Sequence, residues 1–236
     1  MIVCHRHRFI FVNTRHTAGA SVEAALSRYC GDTDILTHNI ARDASSGAEM
    51  GARGRQNDTL PFSLYRLHDW IRLIFRGKRA RLRGHASAAE IRAVVGSEVW
   101  DDYFKFCVER DPWDKAVSLY NSRTRHLDPR PTLLKFLGAA KQRSLSNFHL
   151  YTIEGALALD RVIRFEYLVA EVEALRNLLD LPEPLILTSA KISADDVHYS
   201  ALFGPDEKAL IDAACSREIT LFGYGFCAEA PVVRGG

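Results

Sequence analysis

Two short stretches of the chain combine residue types suited to gripping phosphate. The first is Asn13-Thr14-Arg15-His16-Thr17-Ala18-Gly19-Ala20-Ser21. It follows the apolar run Phe9-Ile10-Phe11-Val12 and precedes Val22, Ala25, Leu26 and Tyr29, which fall at helical spacing. A loop that opens a helix presents backbone N–H groups with no intrahelical acceptor. Gly19 permits close backbone approach to a ligand, Thr17 and Ser21 bring hydroxyls, and Arg15 and His16 bring positive or potentially positive groups. With the backbone at Ala18 and Ala20, these are the parts of a phosphate cradle. The Walker pattern GxxxxGK[ST] is absent. An ordinary turn between strand and helix is the plain alternative.

The second stretch is Glu109-Arg110-Asp111-Pro112-Trp113-Asp114-Lys115-Ala116-Val117-Ser118. Arg110 leaves the end of a second strand-like segment, Phe104-Lys105-Phe106-Cys107-Val108, apolar but for its lysine. Ser118 lies eight residues on, about two helical turns, so it keeps a similar side. A guanidinium fork and a hydroxyl can hold one phosphate together. A carboxylate partner for Arg110 is the simpler role.

His85, in Gly84-His85-Ala86-Ser87, is the candidate general base. Ser87-Ala88-Ala89-Glu90 has the capping-box pattern, which puts His85 just ahead of a helix N-terminus. The positive end of that helix favours a neutral, proton-accepting imidazole. A capping or surface histidine is the structural alternative. Among the other histidines, His38 and His68 fit an acceptor cleft. Glu166 is either an acceptor-site acid or, the simpler reading, a structural acid paired locally with Arg164. Trp70, Trp100 and Trp113 read as core.

These residues need elements to position them. Strand, loop and helix succeed one another at residues 9–29. Strand, turn and helix do so again at 104–120, with Asp111 at the N-cap and Pro112 at the first helical position. A third strand is predicted at 161–165. Further helices are predicted at 64–75, 131–140, 143–157, 166–180 and 206–218. Alternation of this kind implies an α/β fold, a parallel sheet flanked by helices on both faces. Ligands of such sheets bind beyond the carboxyl ends of the strands.

The 236 residues, 47% of them hydrophobic and 25% charged, suit a single globular domain spanning 1–236. An irregular excursion is predicted over 31–60. No apolar run approaches the length of a membrane span, and no secretory leader is visible at the start. The five cysteines are scattered without zinc spacing, which fits reduced thiols in a cytoplasmic protein. Net charge is only +2. Yet Arg72, Arg76, Lys78, Arg79, Arg81 and Arg83 crowd one acid-free segment, either a solvated face or a docking surface for an anionic partner. No pattern of aromatics accompanies them, so nucleic acid is not the expected partner.

Taken together, the segments resemble the sulfotransferase family. VNTRHTAGAS resembles its 5′-phosphosulfate loop, and FCVERDPWDKAVSLY closely resembles its 3′-phosphate motif. DILTHN and GRQN look like segments of bacterial carbohydrate-type members. VIRFEYL resembles the late strand–helix segment, and ITLFGYGF the C-terminal signature. GHAS is similar to the Gly-His-x-Ser context of the base in heparan sulfate 2-O-sulfotransferases. The resemblance implies a P-loop-like fold and 3′-phosphoadenosine 5′-phosphosulfate (PAPS) as sulfuryl donor. Its product would be adenosine 3′,5′-bisphosphate (PAP), with no metal required. It implies donor contacts from Arg15, His16, Thr17, Ala18, Gly19, Ala20, Ser21, Arg110, Ser118 and Lys191, and catalysis by His85 and His16. The chain departs from the family where His16 stands in place of the usual lysine and Ala20 in place of a common threonine. Arg15 can compensate, because a guanidinium is always charged.

The activity so implied is sulfuryl transfer to a hydroxyl of a carbohydrate or glycolipid-like acceptor. Two alternatives remain at the level of sequence. One is a catalytically weakened protein that binds PAP or PAPS. The other is a P-loop-like nucleotide kinase, against which the missing Walker lysine argues.

Overall fold

The computed structural model describes residues 1–37, 51–187 and 198–226. His38, Lys191 and Cys227 lie outside the described residues, as does most of the central part of the 31–60 excursion. In chain order the elements are β1 (Ile2–Cys4), β2 (Phe9–Val12), α1 (Gly19–Ser27), β3 (Ile35–Leu36), α2 (Leu67–Arg76), α3 (Ala88–Asp102) and β4 (Phe104–Glu109). Next come α4 (Pro112–Thr124), α5 (Leu133–Ala139), α6 (Gln142–Leu145), α7 (Phe148–Tyr151), β5 (Thr152–Ile153), β6 (Ala156–Leu157) and β7 (Arg161–Arg164). The chain continues with α8 (Leu168–Leu178), α9 (Pro205–Ala214) and α10 (Ser216–Phe222). Contacts divide the chain, read from its length as one domain, into two compact units. The first comprises Met1–Glu109 and Leu150–Lys191, the second Arg110–His149 and Ile192–Gly236.

The first unit is an α/β layer. Its five-stranded sheet has the order β3-β1-β2-β4-β7. β2, β4 and β7 are parallel, with Val12 opposite Cys107 and Glu109 opposite Arg164. All four residues of β2 are fully buried, as the unbroken apolar run requires of an inner strand. The predicted all-parallel sheet is corrected at one edge. β1 runs antiparallel to both β2 and β3, so the sheet is mixed. Only residues 5–8 separate β1 from β2, too few for a parallel crossover, so the chain closes a hairpin.

Flanking helices close the core of this unit. Val22, Ala25 and Leu26 of α1, with Leu168, Val172 and Leu175 of α8, pack against Phe9, Phe11, Phe106 and Ile163. Burying a phenylalanine such as Phe11 stabilises the fold by about 1.5–3 kcal/mol. α3 begins as predicted. Ser87 Oγ accepts the Glu90 N–H, and the Glu90 carboxylate accepts the Ser87 N–H at 2.9 Å.

The predicted helix over 143–157 does not form as one element. α6 and α7 occupy its first part, and β5 and β6 form a hairpin in the rest. Glu154 and Gly155 both have positive φ, 52° and 82°, which suits a tight two-residue turn with the twist of paired strands. The predicted helix over 206–218 is divided at Cys215 into α9 and α10.

The second unit is helical, built around α4. Asp111 caps α4 by accepting the N–H groups of Trp113 at 2.9 Å and Asp114 at 3.2 Å, and Pro112 opens it, as predicted. Trp113, Ala116 and Val117 pack with Leu133, Leu137, Ile211 and Cys215. The buried Glu218 carboxylate accepts the Asn147 N–H at 3.0 Å and stands 3.9 Å from the buried Lys115 ammonium. Trp100 and Trp113 are core residues. Trp70 is not, for it is 41% exposed and stacks on Phe62 at the surface.

Candidate functional site

The carboxyl ends of β2 and β4 lie side by side in the sheet, and the loop 13–18 leaves the first of them. The loop is anchored to the second. Thr14 Oγ1 donates to the carbonyl of Val108 and lies 2.8 Å from Thr17 Oγ1. Thr17 is fully buried, and its hydroxyl bonds with Thr14 inside the protein. The sequence reading assigned that hydroxyl to a phosphate; the structure engages it in shaping the loop.

α1 starts without a side-chain cap. Its N-cap residue, Ala18, is left-handed at φ 58°, and the first turn carries no acid. His16 is left-handed too, at φ 60°. Two non-glycine residues in this region within three positions store strain of the kind that gathers at ligand sites. Ser21 N–H bonds to the Ala18 carbonyl at 2.9 Å, and the positive end of a helix without a side-chain cap favours nearby negative charge. Arg15 is half-buried beside that helix end. Burial and the neighbouring Arg83 charge both push its pKa down.

Gly19 also has a packing task. A Cβ at this position would stand 2.0 Å from Asn13 Oδ1 and 3.2 Å from the Thr14 carbonyl. The missing side chain leaves room for the Asn13 amide. That amide donates from Nδ2 to Glu23 Oε2 at 2.7 Å, and Glu23 is buried in α1. Glu23 Oε1 also accepts from Thr37 Oγ1 at 3.2 Å. Sequence reasoning missed Asn13 and Glu23 as site-builders. The available signal was one acid on the helix face that also carries Val22 and Leu26.

His85 completes the arrangement within the first unit. Its Nδ1 lies 2.8 Å from the backbone carbonyl of Asn13. A carbonyl only accepts, so Nδ1 carries the hydrogen and the neutral ring presents Nε2 as its basic nitrogen. The ring is solvent-accessible on one side, yet protein packed behind it lowers its pKa from 6.5. Arg15 lowers it further, whereas the Asn13 hydrogen bond raises it.

In the second unit, Arg110 is nearly buried at the start of α4. Its Nε donates to Asp114 Oδ2 at 2.7 Å, the carboxylate pairing that was its simpler role. Ser118 is half-buried on α4. Ser21 is buried in α1, Ala20 is half-buried, and Glu166 is exposed in a turn of 3-10 helix between β7 and α8. His68 is exposed beside Asp69.

Cys4, Cys30 and Asp34 bring their ligand atoms within 4.8 Å of one another in the first unit. Both Asp34 oxygens already accept backbone N–H groups, from His5 and Gly31 at 2.7 Å each. The Cys30 thiol is pushed up, first by its hydrogen bond with Cys4 and then by burial. A protonated thiol and an engaged carboxylate describe a packed turn. Among the described residues no helix is long and apolar enough to cross a membrane. The chain matches no protein-family model, no curated protein and no solved structure.

Proposed function

We propose that the chain is a sulfotransferase acting on a hydroxyl of a carbohydrate or glycolipid-like acceptor, built on a P-loop-like version of its α/β fold. The observation that carries this reading is the hydrogen bond from His85 to the Asn13 carbonyl. It ties a histidine with a free Nε2 to the first residue of an anion-accepting loop. A general base beside a phosphate cradle is what sulfuryl transfer to a hydroxyl needs.

The family resemblance divides the donor between residues of the two units, each considered by itself. The uncapped start of α1, the backbone of residues 16–20 and the Arg15 charge suit the 5′ phosphosulfate end. Arg110 and Ser118 of the second unit are assigned the 3′-phosphate, as the family resemblance has it. Bound PAPS supplies the sulfuryl group, and PAP is its product. His85 holds its Nδ1 hydrogen on Asn13 and takes the acceptor hydroxyl's proton at Nε2. Arg15 supplies positive charge, and His16 a ring N–H, where the family has a lysine. Among the described residues Cys4, Cys30, Cys107 and Cys215 are buried and in no disulfide, which suits a reducing, cytoplasmic setting.

The test is transfer of labelled sulfate from PAPS to a panel of glycans and glycolipids. Labelled product from the native chain, absent with His85→Ala, is the expected result. Equal product from both proteins would remove His85 from the chemistry, and no product with any acceptor would count against the activity.

A further inference from the structure

The first unit carries an amphipathic helix whose apolar side faces outward. In α2, Leu67 is 77% exposed, Ile74 73% and Phe75 81%. Ile71 and Trp70 are exposed as well. At 100° per residue these five span an arc of about 140°, while His68, Arg72 and Arg76 occupy the other exposed side. The helix is built to stay folded in this pose. The Asp69 carboxylate accepts the Arg66 N–H at 3.0 Å, and Gly77 closes the helix at φ 58°.

The segment after α2 is a cationic strip. Leu60 N–H bonds to the Ala80 carbonyl at 2.9 Å and Leu82 N–H to the Asp58 carbonyl at 2.7 Å, which holds residues 80–82 extended. Ala80 and Leu82 are buried, so the alternating Arg79, Arg81 and Arg83 share the exposed face. With Arg55, Arg72 and Lys78 they line a cleft of about 780 Å³. Asp58 pairs with Arg55 and Arg81. Among the described residues, Arg72, Arg76, Lys78 and Arg83 stand in no ion pair.

We propose that α2 and the strip 77–83 form a peripheral docking surface for an anionic lipid bilayer. The apolar arc enters the acyl boundary while the arginines and Lys78 engage headgroup phosphates. Either half alone would suit several partners; the two together select one. A free phosphate would leave Leu67, Ile74 and Phe75 in water, and a nucleic acid, which could stack on an aromatic, would still leave Leu67 and Ile74 there. A second copy of the chain would bring its own cations against these cations. An anionic bilayer satisfies both halves. This surface rests on α2 and its neighbours, independently of the donor loop.

The full chain is sedimented with vesicles of phosphatidylcholine alone or phosphatidylcholine mixed with phosphatidylglycerol, with Trp70 fluorescence followed in parallel. Binding is expected on the mixed vesicles only, weakened by salt, with a blue shift that Trp70→Phe removes. Glycerol phosphate in solution should give no blue shift. Ile74→Glu with Phe75→Glu, and separately Lys78→Glu with Arg79→Glu, should each weaken binding by roughly tenfold or more. These positions are exposed, and unchanged melting confirms folding. Equal binding to neutral vesicles, undiminished binding by either double variant, or self-association through this face without vesicle binding would each overturn the proposal. The wild-type vesicle comparison decides it even if a variant misfolds.

Discussion

His85 Nδ1 stands 2.8 Å from the carbonyl oxygen of Asn13, the residue that follows β2 and opens the loop. One hydrogen bond therefore fixes the tautomer of the candidate base and joins it to the loop that starts α1. Asn13 is itself held by Glu23 at 2.7 Å. The order Glu23, Asn13, His85 resembles a relay of positioning groups, each orienting the next.

Asn13→Ala should destabilise the protein by about 1–3 kcal/mol, because the buried Glu23 carboxylate loses a hydrogen-bond partner. Urea unfolding measures this. A midpoint equal to that of the native chain would show that Glu23 does not depend on Asn13.

Gly19→Ala should be harmful although alanine is the better helix former. The new methyl would meet Asn13 Oδ1 at 2.0 Å. Overpacking of this kind costs about 1–3 kcal/mol. Melting gives the stability, and PAP binding reports the loop. A more stable variant that still binds PAP would contradict the assigned packing.

His85 titrates below its usual 6.5, chiefly through burial. The unfolded chain therefore takes up this proton first as pH falls. Stability from this residue is unaffected above about pH 6.5 and declines below it, until the folded ring is protonated too. The acidic limb of turnover should likewise lie below 6.5. Proton NMR of the His85 ring checks the titration, and unfolding midpoints across pH, native against His85→Asn, check the linkage. A His85 pKa above 6.5 would reverse both expectations.

Much of the first unit can be read from the chain. Phe9–Val12 is an unbroken apolar run of strand length, Phe104–Val108 is apolar but for Lys105, and both are strands. Ser87, Asp111 and Pro112 mark helix starts because their chemistry is local. β1 and β3 escape such reading, since three and two residues carry no period. The hairpin at 152–157 escapes it because its residues also suit a helix, and only Glu154-Gly155 announces the turn. At the site, the loop and His85 stand out by residue type. The partnerships of Asn13 with Glu23 and with His85 join residues 10 and 72 positions apart, which no local pattern encodes. Trp70 is misplaced by composition because a tryptophan stacked on Phe62 at the surface reads the same as one in the core.

The most direct test of donor binding is the melting temperature with PAP. Saturating PAP should raise it in the native chain through mass action, and Arg110→Ala should largely abolish the rise. His85→Ala should keep it. No rise in the native chain at saturating nucleotide would contradict donor binding, and a full rise in Arg110→Ala would remove Arg110 from it.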